Sequence, residues 1–209
     1  MATTLTRLFD SHTQALDAVS DLEAAGVDSD RISLVSNNAD DWHAGHKHPH
    51  ENLSDDSHGE VAEGIGKGAA TGGALGAGAG VLAGLGMLAI PGLGPVVAAG
   101  WLASTAVGAA VGAAAGGATG GILGALKDAG HSDEDAHVYA EGVRRGGTLV
   151  SVKADEADAT RLQAILDGRN GFDAASRGAA YRETGWSAFD PEAPAYSTDQ
   201  IAQERARYR

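Results

Sequence analysis

The sequence predicts an α+β protein whose two sheet-forming halves are separated by a long helical hairpin. Three observations carry this: a β-α-β pattern within residues 1–37, a similar pattern after residue 148, and a 59-residue stretch between them, Gly68 to Leu126, with no charged residue, 18 Gly and 18 Ala. Two β-α-β units of about thirty residues each most simply form a ferredoxin-like split β-α-β sandwich, a four-stranded antiparallel sheet with two helices on one face. The expected organisation is a first half at 1–37, a linker rich in His and Asp at 38–60, the hairpin at 61–127, a connecting helix and second half at 128–180, and an aromatic tail at 181–209.

Taken in order, Thr3 to Phe9 reads as a strand. Ser11 with Gln14 three residues later has the spacing of a capping box. Ala15, Leu16, Val19, Leu22 and Ala25 then recur at helical spacing, and Gly26 stands where a helix C-cap belongs. Arg31 to Ser36 alternates and is β-branched enough for the second strand. In the second half, Thr148 to Val152 reads as a strand and Asp155 to Asp167 as a helix carrying Ala159, Leu162, Ile165 and Leu166. Gly171-Phe172-Asp173 follows it much as Gly26-Val27-Asp28 follows the first helix, and the last strand is expected within Phe172 to Ser176. Ser132 to Arg145 reads as the connecting helix, with Ser132 and Asp135 as its cap, acids at its start, Arg144 and Arg145 at its end, and Val138 and Val143 as its packing residues.

The middle segment has a register of its own. Glycine falls at Gly64, Gly68, Gly72, Gly76, Gly80 and Gly84, and after Pro91-Gly-Leu-Gly-Pro95 the spacing resumes at Gly100, Ser104, Gly108, Gly112, Gly116, Gly120 and Gly124. Positions four apart share one helix face, so each arm would present a smooth groove for close backbone approach, a glycine zipper. A flexible low-complexity linker would have no reason to keep such a register. Val81, Leu82, Leu85, Met87, Leu88, Ile90, Leu93, Val96, Val97, Trp101 and Leu102 crowd around the prolines, so the apolar part is the expected tip. That suits a re-entrant hairpin inserted into the inner membrane from one side. The acidic flanks, Glu60, Glu63 and Asp133 to Asp135, would be repelled by anionic lipid and favour a soluble homo-oligomer with its hairpins buried. Both readings stand on the sequence.

The run TLTRLFDSHTQALDAVSDLEAAGVDSDRISLVS, the acidic linker, the Gly/Ala segment and the second β-α-β unit together resemble the bacterial general stress protein family with the heat-induced YflT-like domain. The resemblance covers most of residues 1 to 180 and implies a stress-associated, non-enzymatic protein. It brings no active-site residue with it.

Charge and motif agree with a non-catalytic reading. Fifteen Lys and Arg stand against 28 Asp and Glu, for a formal net charge of −13, and no basic face is clustered, which argues against nucleic acid as a partner. The absence of cysteine removes disulfides and thiolate chemistry. Met1 to Phe9 lacks both a basic n-region and an apolar h-region, so a cytoplasmic protein is expected. No GxSxG, Walker A or HExxH motif occurs, and Gly64-Ile-Gly66-Lys-Gly-Ala69 has no strand leading into it as a dinucleotide fingerprint needs. The candidate metal residues are His43, His46, His48, His50 and His58, which with Asp40, Asp41, Glu51, Asp55 and Asp56 offer imidazole and carboxylate ligands suited to zinc, nickel or copper. A solvated polar linker is the alternative for that segment. Beyond Arg177, Trp186, Phe189 and Tyr196, with Pro191 and Pro194, read as anchors of an extended segment lying on its own domain or on a neighbouring subunit.

Overall fold

The computed structural model describes residues 2–42, 86–90, 92–105 and 121–207. The elements run β1 (Ala2–Phe9), α1 (His12–Ala24), a 3₁₀ turn (Ser29–Arg31), β2 (Ile32–Asn37), β3 (Gly86–Ile90), β4 (Gly94–Gly100), a helical stretch at 101–105, α2 (Gly121–Asp128), α3 (Asp133–Arg144), β5 (Thr148–Asp155), α4 (Ala159–Gly168), α5 (Ala174–Glu183) and α6 (Thr198–Arg207). The fold is mixed α/β around one five-stranded antiparallel sheet of order β1-β5-β2-β4-β3. β5 lies between β1 and β2, pairing Leu149 with Leu8 on one side and with Val35 on the other.

The local signals of the first half act as expected, with one exception. α1 ends in a Schellman motif: Gly26 sits at φ +86°, its N–H donates to the Glu23 carbonyl, and the Val27 N–H donates to Leu22, an arrangement that needs the left-handed conformation glycine adopts without strain. Ser11 is the N-cap residue but its side chain makes no capping hydrogen bond, so the Ser11–Gln14 capping box does not form. α3 is capped as expected, Ser132 Oγ accepting from the Asp135 N–H at 3.1 Å, and it buries Val138 and Val143. α4 begins at Ala159, four residues later than the sequence suggests, because β5 extends to Asp155 and residues 156–158 turn. Its closing motif is carried by Asn170, at φ +60°, rather than by Gly171.

Three expectations are corrected. The described part of the expected apolar tip is not the bend of a helical hairpin: residues 86–90 and 94–100 are β3 and β4, which extend the sheet beyond β2. Gly92, Gly94 and Gly100 hold φ of +75°, +81° and +81°, which no α-helix accommodates, and Val96-Val97 is β-branched. These residues occupy the gap between Gly84 and Gly100 where the four-residue glycine spacing lapses. The last strand is also absent as a strand. Phe172 makes one antiparallel bridge to Leu8, after which Asp173 caps α5 by accepting from the Ser176 N–H at 2.8 Å. A capping aspartate followed by two alanines starts a helix more readily than it continues a strand.

The third correction concerns the layers, since both faces of the sheet are covered. On one face Leu34, Val150, Val152 and Phe9 pack with Val19 and Leu22 of α1 and Leu162 and Leu166 of α4. On the other, Leu8, Leu149, Val35 and Val96 pack with Ile122 and Leu126 of α2, Val138 and Val143 of α3, and Tyr181 of α5. A sheet buried on both sides needs apolar residues at consecutive strand positions, and every residue of β2 is buried. Gly64, Gly68, Gly72, Gly76, Gly80, Gly84, Gly108, Gly112, Gly116 and Gly120 lie outside the described residues, while Gly124 sits half-buried in α2.

This two-sided packing is directly testable. Leu34→Ala removes a buried side chain from one face and Leu149→Ala from the other, and each should cost about 2–5 kcal/mol in denaturant unfolding. An open sandwich would lose that much at only one of the two.

Candidate functional site

The most concentrated chemistry among the described residues is at the C-terminal end of α3. Glu141 and Arg145 stand one helical turn apart, and Arg145 Nε donates to Glu141 Oε1 at 2.7 Å. Arg145 Nη1 donates to Glu204 Oε1 of α6 at 2.5 Å, and the guanidinium lies 4.2 Å from the centre of the Tyr181 ring. All three charged residues are buried, at 1%, 7% and 6% exposure for Glu141, Arg145 and Glu204. Burial opposes the charge on Arg145, but the hydrogen bonds and charges of Glu141 and Glu204 outweigh it and hold the proton more firmly than in free arginine. Removing one member of such a cluster leaves an uncompensated buried charge and costs about 3–5 kcal/mol.

That cluster fastens the tail. Gly146, at φ +95°, leaves a space that Ile201 fills, so that any Cβ there would collide with it. Arg205 donates to the Gly146 carbonyl at 2.7 Å and to Asp40 Oδ2 at 2.8 Å. Phe189 and Pro191 press on Gly92 and Ala195 on Gly94, Trp186 meets the Tyr181 ring edge-on at 5.7 Å, and the Arg144 guanidinium lies over Tyr196 at 5.0 Å. Trp186, Phe189 and Tyr196 thus all lie against residues of the same chain.

A second polar set crosses the sheet on the face covered by α3. Thr6 Oγ1 is 2.8 Å from Ser151 Oγ and 2.7 Å from His131 Nε2, Tyr139 donates its hydroxyl proton to the Thr6 carbonyl at 3.0 Å, and Ser33 Oγ donates to the Ala99 carbonyl at 2.8 Å. Burial lowers the His131 pKa below its ordinary value, partly opposed by the charge of Asp135, and burial pushes the Tyr139 hydroxyl up to about 12. Nearby, Arg177 is buried against Phe172, 4.0 Å from the ring centre, and donates to Asp10 Oδ2 at 2.8 Å. This pair ties α5 to the β1–α1 turn.

A groove of about 550 Å³ opens at the start of α1, lined by Asp10, Ser11, Thr13, Gln14, Asn170, Phe172 and Arg205. Its charged groups are committed, Asp10 to Arg177 and Arg205 to Asp40. At the opposite end of the sheet, β3 is an edge strand, and its Met87 is 61% exposed.

The candidate metal residues His43, His46, His48, His50 and His58 lie outside the described residues, as do ten of the twelve glycines in the four-residue register, all but Gly100 and Gly124. Among the described residues no group of three His, Asp or Glu side chains is gathered as a metal ion would need. Reading the sequence alone misses the Arg145 cluster. The Glu141–Arg145 spacing was a visible signal, whereas Glu204 is 59 residues away from Arg145 and no local pattern points to it. Comparison of the chain with protein-family models, with curated proteins and with solved structures finds no match in any of the three.

Two outcomes follow from this geometry. Deleting residues 186–209 uncovers the sites of Phe189 and Ile201, each worth about 1.5–3 kcal/mol, and should lower the melting temperature by on the order of 10 °C without changing the number of chains per particle found by light scattering. Fewer chains per particle after truncation would place the tail on a neighbouring subunit instead. His131 resists protonation when folded, so the unfolded chain binds its proton first as pH falls through about 6.5. Stability contributed by neutral His131 is therefore complete above that pH and declines below it, and His131→Gln should flatten the dependence of unfolding free energy on pH between 7 and 5.

Proposed function

We propose that this is a non-catalytic protein of the general stress type that works by self-association, its α/β domain serving as a rigid platform for the Gly/Ala-rich segments 61–85 and 106–120. The observation that carries this reading is the anchoring of the uncharged stretch. Residues 86–90 and 94–100 are tied into the sheet as β3 and β4, and Leu102, Ile122, Ala125 and Leu126 are buried on either side of residues 106–120. Both small-residue segments therefore start or end on the packed domain. The order β1-β5-β2, with Phe172 bridging to the outer side of β1, is read as a ferredoxin-like core enlarged by β4 and β3 and by a second helical layer. The stress assignment rests on the family resemblance of the sequence.

Association between copies is favoured over insertion into lipid. The apolar run that suggested insertion includes Leu93, Val96, Val97 and Leu102, and each is exposed by 1% or less because it lies inside the core. No described helix is long and apolar enough to cross a membrane. A soluble homo-oligomer that packs its small-residue segments together accounts for the four-residue glycine register and keeps the acidic flanks in water.

Sedimentation velocity of the full chain tests the reading. Gly76→Leu and Gly112→Leu, on the zipper row, should weaken assembly about tenfold or more, because an added side chain at a close crossing costs roughly 1–3 kcal/mol. Ala77→Leu and Ala113→Leu, one position off that row, should change it little. Equal effects from both pairs contradict the zipper, and co-flotation with phosphatidylethanolamine–phosphatidylglycerol vesicles would favour the membrane reading.

A further inference from the structure

The two edges of the sheet differ in how they are guarded. Edge strands expose unpaired backbone groups, and monomeric proteins blunt them with charge, proline, a bulge or a covering segment. At the β1 edge, Phe172 exchanges both backbone hydrogen bonds with Leu8, at 2.8 and 2.9 Å, and Arg7 forms an ion pair with Asp167 at 2.6 Å. The β3 edge has the sequence Gly-Met-Leu-Ala-Ile, with no charge and no proline, and no described residue pairs with its outer side.

The register identifies which backbone groups face outward. The Pro95 carbonyl accepts from the Asn38 N–H at 2.9 Å, so Pro95 directs its backbone toward β2. Ala89, opposite Pro95 across β3 and β4, is then in a non-hydrogen-bonded pair, and by the alternation of antiparallel ladders so is Met87. The N–H and C=O groups of Met87 and Ala89 therefore point away from the sheet.

We infer that this edge is a contact between copies, with β3 pairing antiparallel to β3 of a second copy about a two-fold axis at Leu88. The inference rests on the self-association reading above and adds a second contact to the one made by the small-residue segments. The strand is self-complementary in this arrangement: Met87 of each copy faces Ala89 of the other in a doubly bonded pair, and the two Leu88 residues face each other between them. Charge points to the same partner. A chain with formal net charge −13 repels its copies over most of its surface, while β3 lies within the uncharged stretch, where two copies meet without opposing acids. Met87, the large hydrophobic most exposed among the described residues, gains cover in the same contact.

The chain contains no cysteine, so single-cysteine variants report the contact cleanly. Facing residues of a non-hydrogen-bonded pair have Cα atoms about 4.5 Å apart, within disulfide range. Oxidised Leu88→Cys should run as a covalent dimer on a non-reducing gel, and Met87→Cys, whose counterpart is offset, should give several-fold less. In sedimentation velocity of the full chain, Met87→Lys and Ala89→Pro should each weaken association tenfold or more, the proline by removing an outward N–H. Circular dichroism melts identify a variant that has unfolded, and Met87→Lys carries the test if the proline variant does. Absence of the Leu88→Cys dimer with unchanged association of Met87→Lys overturns the edge contact, whether the edge is covered by residues 43–85 of the same chain or by nothing. If Gly76→Leu still weakens assembly in that case, self-association survives through another surface. A wild-type chain that stays monomeric at every concentration overturns both readings.

Discussion

The burial of β5 on both faces is the constraint from which the rest of the architecture follows. β5 pairs on either side with β1 and β2, and its consecutive residues Leu149 and Val150 enter opposite cores. A sheet so placed cannot leave one surface to water, so the chain must supply two helical layers. α1 and α4 come from the β-α-β units themselves. The opposite layer is assembled from sequence outside those units: α2 and α3 before β5, α5 after α4, and Phe189 from the tail. The same requirement accounts for the apolar run around the prolines, because Leu93, Val96 and Leu102 fill that second core.

Closing the second layer brings charge inside. Arg145 sits where α3, α5 and α6 meet, and its fork satisfies Glu141 and Glu204 while its plane covers Tyr181. Apolar replacements of buried ion clusters are often as stable or more so, but this cluster fixes orientation, since only one seating of α6 pairs Glu204 with Arg145 and fits Ile201 beside Gly146. The tail thereby fastens the β3–β4 turn through Gly92 and Gly94. It also reaches the chain just before the histidine-rich segment, through Arg205 and Asp40.

Much of this was legible in the sequence where the signal is local. Periodicity and Gly26 define α1, Ser132 and the acids after it define α3, and β-branched alternation marks β2 and β5. The β3–β4 hairpin was not legible, because a short apolar run is compatible with either a buried strand or a buried helix and the glycine spacing on both sides favoured helix. Its glycines are needed for positive φ at Gly92, Gly94 and Gly100, a requirement that spacing does not display. The candidate site was less legible still. Thr6, His131 and Ser151 carry no motif, and Arg145 meets Glu204 only after the tail has folded back.

Residues 86–90 and 94–100 form the sheet's outer strands rather than a helical, lipid-facing tip. Backbone chemical shifts and cross-strand nuclear Overhauser contacts measure this directly on the full-length chain in solution. The expected result is extended-strand shifts over residues 94–100 and contacts joining Val97 to Ser36 on one side and to Met87 on the other. Helical shifts running through Val96 and Val97, without contacts to β2, would contradict it.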